Sequence, residues 1–220
     1  MGEELREGMV NSGDNETITI ARGDGSGGRT VGKMLAKELG IPFDDRELFY
    51  LASEDSGINL SLFGESDEKI KKGIFSPSTH KYTGELITPE SSDFVSNENL
   101  FNYQAKIIRE LAESRSCVIV GRCADYVLRD FENLVDVLVW APPEACVQNI
   151  VEIEGLSEKE AERKIKKIDK HRSDYYRYYT GHDWNDVRNY SLCINSGRIG
   201  FQKTAQAIRQ FAELKLGRNL

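Results

Sequence analysis

Residues 16–40 read ETITIARGDGSGGRTVGKMLAKELG, and this stretch decides the fold. From Glu16 to Ala21 threonine and isoleucine alternate with the two-residue period of a β-strand. Glycines break the strand, and beyond them Val31, Met34, Leu35 and Leu39 recur at helical spacing, with Gly40 as the stop. A strand, a glycine loop and a helix in direct succession open a βαβ unit. The loop Gly23-Asp24-Gly25-Ser26-Gly27-Gly28-Arg29-Thr30 fits G-x-x-x-x-G-K-S/T at every fixed position, except that Arg29 stands for Lys. Such a loop needs glycines because its backbone N–H groups must close around phosphate oxygens at a helix N-terminus. In this reading Gly23, Gly25, Ser26, Gly27 and Gly28 cradle a nucleotide's phosphates, Arg29 neutralises the β and γ groups, and Thr30 ligates Mg²⁺.

Two other readings of the loop stand beside it. Gly23, Gly25 and Gly28 also spell G-x-G-x-x-G, with Asp44 about 20 residues on, the spacing of a dinucleotide site. That reading requires Ile41 to Asp44 to be a central strand despite Pro42, and it leaves Arg29-Thr30 unexplained. The third reading is a glycine-rich turn with no ligand.

Working outward, residues 1–15 are polar and aperiodic and read as a mobile tail. A helix is expected around Glu47 to Ala52. A polar excursion from Ser53 to Ser96, anchored by Phe63 and Phe75, is expected as an insert at about residues 53–96. Glu98 to Ser114 is a strong helix on which Phe101, Ile108 and Leu111 share a face with Gln104. Ser116 to Val120 and Val135 to Trp140 are β-branched apolar runs, the pattern of strands buried on both faces, separated by a helix-length piece from Asp125 to Phe131. Pro142-Pro143 opens another helix, and Ser157 to Tyr179 begins with a capping box, Ser157 and Glu160. Tyr190 to Asn195 and Phe201 to Leu214 are a last strand and helix. The alternation predicts an α/β domain spanning residues 16–220 around a mainly parallel sheet, with ligands at the carboxyl ends of the strands.

The whole chain has 220 residues, with 29 Lys+Arg against 36 Asp+Glu and a net charge of −7. That acidity argues against a nucleic-acid polymer or an anionic membrane as partner, while small anionic ligands remain compatible with it. No apolar run approaches the ~20 residues needed to span a bilayer, and a cytoplasmic location is expected. Cys117, Cys123, Cys146 and Cys193 form no C-x-x-C pair and read as reduced thiols, and His80, His171 and His182 lack metal-ligand spacing.

Three segments together, ITIARGDGSGGRTVG (18–32), ELGIPFD (38–44) and VIVGR (118–122), resemble the cytidylate kinase-like branch of the P-loop nucleoside monophosphate kinases. The resemblance covers most of the chain from about Thr17, excluding the middle of the excursion. It implies a three-layer P-loop kinase fold with a parallel five-stranded sheet, a helical substrate-binding insert and a lid at about residues 170–188. ATP and Mg²⁺ would be the ligands, and the activity would be transfer of the γ-phosphoryl of MgATP to a small nucleotide such as CMP. That branch also carries Arg at the position of Arg29.

Further site residues follow from residue chemistry and from the resemblance together. Arg122, at the carboxyl end of a buried strand, offers a bidentate fork for phosphate and maps onto the family's acceptor-binding arginine, with Cys123 where the family has an acid. A helix-start arginine paired with Asp125 or Glu132 is the alternative. Asp44 maps onto an acid that helps order Mg²⁺, and it is equally readable as a helix N-cap. Tyr50 stands where the family's phosphate-gripping arginine lies, which makes Arg46 the candidate replacement. Arg172 and Arg177 map onto the lid arginines that clamp the transferring phosphoryl. They lie about 140° apart on a regular helix, so both reach one ligand only if the helix breaks. Asn195 and Ser196 are expected beside the adenine. Gln104 is a candidate for the acceptor base or a satisfied core amide. The alternative function is a nucleotide-binding module without turnover.

Overall fold

The computed structural model describes residues 15–45, 47–68 and 82–220. The expected tail, apart from Asn15, therefore lies outside the described residues, as do Arg46 and the middle of the excursion. Strands β1 (Thr17–Arg22), β2 (Phe43–Asp44), β3 (Cys117–Val120), β4 (Leu134–Trp140) and β5 (Leu192–Asn195) form one parallel sheet in the order β2-β3-β1-β4-β5. The expected α/β P-loop kinase fold with five parallel strands is the fold observed.

Side-chain alternation along the strands explains the layers. Ile18, Ile20, Val118, Val120, Val137 and Val139 point to one face, where α1 (Gly28–Leu39) and α9 (Phe201–Leu216) cover them. Cys117, Ile119 and Leu134 point to the other face, under α4 (Asn97–Ser114). Beside α4 pack α2 (Glu47–Ser56), α3 (Leu60–Glu68) and the short α5 (Ala124–Val127). The first residues of the excursion complete α2, and a second helix, α3, follows in which Phe63 is a buried anchor within a polar sequence. The piece expected as a helix from Asp125 to Phe131 shortens to a single turn.

Beyond β4, α6 (Pro143–Glu154) packs against α7 (Glu158–Thr180), whose capping box forms as expected: Ser157 Oγ accepts from Glu160 N and Glu160 Oε2 accepts from Ser157 N. α7 is one unbroken helix in two environments. Its first half is largely exposed, whereas Tyr175, Tyr176 and Tyr179 enter the core around Phe101, with the Tyr179 ring stacked 4.0 Å from that of Phe101. The short α8 (Ser196–Ile199) follows β5. All four cysteines are free, three buried and Cys193 half-buried, and among the described residues no helix is long and apolar enough to cross a membrane.

Leu35 sits fully buried between the sheet and α9, so its truncation leaves a cavity in the layer that holds α1. Leu35→Ala is expected to cost about 2–5 kcal/mol of unfolding free energy. Urea denaturation measures it, and a loss below about 1 kcal/mol would contradict this packing.

Candidate active site

At the carboxyl ends of β1 and β3 the chain opens into a cleft of about 1260 Å³. The glycine loop forms one wall, and its course is set by close approach. A β-carbon on Gly25 would lie 2.5 Å from the Cys146 carbonyl oxygen, and one on Gly27 would lie 2.2 Å from the Phe201 ring. Both residues also have φ of +77°, where a side chain is strained. Gly27 caps α1 without a side-chain hydrogen bond, so no side chain of the cap covers the first-turn N–H groups. The loop is braced from outside: Ser26 Oγ donates to Gly23 O at 2.8 Å, and Asn149 Nδ2 donates to Gly25 O at 2.8 Å.

Several of the expected residues meet here, namely Gly23, Gly25, Gly27, Gly28, Arg29 and Thr30, together with Arg122 and Arg172. Ser26 is buried behind the loop surface. Arg29 Nε pairs with the buried Asp45 carboxylate at 2.7 Å. Arg122 has φ of 60° and lays its guanidinium 4.0 Å over the Phe49 ring. Arg172 is held beside the loop: its guanidinium lies 3.6 Å from Asp24 Oδ1 and 3.3 Å from Asp169 Oδ1, and Nη1 donates to Arg22 O at 3.2 Å. Asp169 Oδ1 also accepts from the Asp24 backbone N–H at 2.8 Å, which ties α7 to the loop. Burial pushes the Asp169 carboxyl up, against the pull of that N–H and of Arg172.

Other expected residues are not brought to the cleft. Asp44 lies within β2, so its side chain turns opposite to that of Phe43 and meets Arg115 at the end of α4, with Nη2 2.9 Å from Oδ1. Burial raises its carboxyl more than Arg115 lowers it. The acid that faces Arg29 is Asp45, one residue past the strand. Arg177 is exposed and pairs with Asp183 at 3.4 Å, because an unbroken α7 turns it away from Arg172. Gln104 lies inside the α4 core, where Nε2 donates to Leu100 O at 3.2 Å. Ser196 supports the loop from behind, its hydroxyl 2.6 Å from Ser26 O and 3.1 Å from Trp140 O, and the adjacent Asn195 Oδ1 is buried without a hydrogen-bond partner. The segment expected as a lid is divided: beyond Arg172 α7 enters the core, although Tyr175, Tyr176 and Trp184 still line the cleft, to which α6 and the first half of α7 contribute Asn149, Lys164 and Lys167.

Sequence reading passed over Arg22, Lys33, Asp45, Lys164, Lys167 and Asp169. Lys164, Lys167 and His171 line the cleft with Arg172 and are spaced by three and four residues from one another, a signal that was available. Asp45 carried no such signal, because strand β2 is only two residues long and its end is not marked in the sequence.

The family model described as "Cytidylate kinase-like family" matches residues 17–198, most of the chain. The chain belongs to the cytidylate kinase-like family. A curated relative, the cytidylate kinase of Thermosipho melanesiensis, is 35% identical over 121 residues, 48% of this chain and 54% of that protein, so the match spans about half of the relative's length. Among solved structures, an uncharacterised protein from Eubacterium ventriosum superposes with a TM-score of 0.66 at 27% identity, covering 90% of this chain and 99% of that one. A shikimate kinase from Bacteroides thetaiotaomicron superposes with a TM-score of 0.50 at 16% identity, covering 90% and 98%, a likeness of fold alone.

In this member of the cytidylate kinase-like family the cleft also holds a buried carboxyl, Asp125. Its Oδ2 accepts from the Tyr176 hydroxyl at 2.6 Å. Burial pushes its carboxyl from the ordinary 3.8 up to about 6, with the Tyr176 hydrogen bond acting in the opposite direction. The folded protein therefore holds this proton more tightly than the unfolded chain, and the stability linked to it is present below about pH 4 and lost as pH rises through about 6. Asp125→Asn removes the titration and keeps an acceptor for Tyr176. The unfolding free energy of the variant, relative to the parent, should rise between pH 4 and pH 7 in chemical denaturation series. A difference independent of pH would show that Asp125 titrates normally.

Proposed function

We propose that this chain is an ATP-dependent phosphotransferase that moves the γ-phosphoryl group of MgATP to a small acceptor, a nucleoside monophosphate such as CMP. One observation carries this reading: a backbone-walled glycine loop shares one cleft with arginines from separate elements, Arg172 held beside the loop and Arg122 at the end of β3. The family match supports the class of reaction.

The residues present fit a triphosphate. Side chains at Gly25 and Gly27 would collide with their neighbours, so the loop presents backbone N–H groups, the arrangement that binds phosphate oxygens. Among the described residues no group of three or more His, Cys, Asp or Glu could hold a metal ion by itself. That suits Mg²⁺, which keeps waters and phosphate oxygens as most of its ligands. Thr30 and Asp45 are the residues to hold it, in place of Asp44, and when bound it supplies neutralising charge on the β and γ phosphates. Asp45 grips Arg29 through Nε and so sets the plane of that guanidinium beside the loop. Arg122, propped on Phe49, is the acceptor's phosphate ligand. Tyr175, Tyr176 and Trp184 give that end of the cleft aromatic walls suited to a planar base. A phosphate acceptor is already ionised, so positioning and charge neutralisation suffice without a general base. The binding-module alternative draws on the same Arg29, whose fork is partly engaged by Asp45.

The deciding experiment mixes the protein with ATP, Mg²⁺ and a panel of nucleoside monophosphates and measures ADP. Acceptor-dependent ADP is expected, whereas tight ATP binding with no acceptor-dependent turnover would establish the binding module. Arg29→Ala should weaken ATP binding and lower turnover together. Arg122→Ala should raise the acceptor KM roughly 10- to 100-fold, as for the loss of a charge-assisted contact of about 1.5–3 kcal/mol, and leave ATP affinity intact. Arg172→Ala should depress kcat far more than ATP binding, while Arg177→Ala should leave both unchanged. Equal loss in the two variants would contradict the placement of Arg177 outside the cleft.

A further inference from the structure

Arg22 is the last residue of β1, immediately before the glycine loop, and it lines the cleft. Its path is recorded by two glycines on either side. A β-carbon on Gly28 would lie 2.4 Å from Arg22 Cβ, and one on Gly121 would lie 1.9 Å from Nη1 and 3.0 Å from Cζ. The side chain therefore starts against the first residue of α1, at the phosphate loop, and ends over the turn that carries Arg122. The parallel register, in which Ile20 pairs with Val120, places these two points side by side. The Arg22 backbone is also tied into the site, since its carbonyl accepts from Arg172 Nη1 at 3.2 Å.

We propose that Arg22 is a catalytic residue, the fixed cation that contacts the phosphoryl group as it passes from the loop side of the cleft to the Arg122 side. This rests on the phosphotransferase reading above. In the transfer the acceptor oxygen forms the new bond to phosphorus while the bond from phosphorus to the bridging oxygen of ADP breaks. Arg22 stays protonated throughout and exchanges no proton. Its fork is suited to oxygens whose charge shifts during transfer, and its root is fixed in the central strand of the sheet. Two features of the structure make room for this role. Arg29 is engaged by Asp45 through Nε, and Arg177 is outside the cleft. Gly28 and Gly121 are the positions that allow the Arg22 side chain to lie flat along the floor.

The test compares Arg22→Ala and Arg22→Lys with the parent protein in single-turnover phosphoryl transfer, using the monophosphate on which the parent is active. Binding is read separately from the fluorescence of Trp184, which lines the cleft, for ADP alone and for ADP with aluminium fluoride and the monophosphate. Arg22→Ala should lower the transfer rate about 10²- to 10³-fold, the range for losing one preorganised donor. It should weaken the aluminium fluoride complex by a similar factor and change ADP affinity less than about 3-fold. Arg22→Lys should recover part of the rate, and guanidinium ion should partly rescue Arg22→Ala. A transfer rate within about 3-fold of the parent, or a loss confined to ADP affinity, overturns the proposal. If Arg22→Ala does not fold, Arg22→Lys decides alone: an unchanged rate overturns the proposal, and a reduced rate with ADP affinity kept supports it. A parent that transfers to no acceptor overturns the phosphotransferase reading itself, a result separate from an active parent indifferent to Arg22.

Discussion

The glycine loop can follow its path only because its neighbours leave no room for side chains. Cys146 O, the Phe201 ring and Arg22 Cβ each come within 2.2 to 2.5 Å of where a β-carbon would stand on Gly25, Gly27 or Gly28. These contacts come from α6, α9 and β1, so the loop is the point at which three elements distant in the chain meet. Asn149, also on α6, and Ser196 and Asp169 from two further places in the chain brace the loop with hydrogen bonds. A loop held in this way presents its N–H groups without having to be ordered by the ligand, and preorganisation of that kind is what makes electrostatic binding of phosphate effective.

The charge distribution has the opposite sign locally from globally. A chain of net charge −7 lines its cleft with Arg22, Arg29, Lys33, Arg122, Lys167 and Arg172. Carboxylates temper that concentration: Asp45 holds Arg29, and Asp24 with Asp169 hold Arg172. Like charges so close together would repel without such counter-ions. The carboxylates also fix guanidinium orientation, so in the proposed reaction incoming phosphates meet arginines already near their working positions.

Much of the fold was legible in the sequence because it depends on local periodicity. The alternation from Glu16, the helical spacing after Gly28, and the β-branched runs 116–120 and 135–140 became, within a residue at their ends, the elements they suggested. The glycine loop and Arg122 were legible because their chemistry is written into short motifs, and the structure brings them to one cleft. Asp44 and Arg177 lie away from the cleft for reasons that local pattern does not contain, whereas Gln104 is the core amide that was one of its two readings. Asp44 lost the cleft because β2 ends one residue later than a helix-cap reading supposes. Arg177 lost it because α7 continues through Thr180, held by burial of Tyr175, Tyr176 and Tyr179 against α4.

By itself, the sequence determined the α/β class, the place of the glycine loop and the family, because strand and helix periods and runs of glycine are properties of neighbouring residues. Tertiary structure alone decided which charges share a cleft. Arg22 and Gly121 are 99 residues apart in the chain, yet parallel pairing of β1 with β3 sets a guanidinium over that turn. Asp24 and Asp169 meet only because α7 folds back across the carboxyl end of the sheet. The physical reason is the range of the interactions: hydrophobic periodicity acts within one element, whereas ion pairing and steric exclusion at the site act between elements that only the assembled sheet brings together.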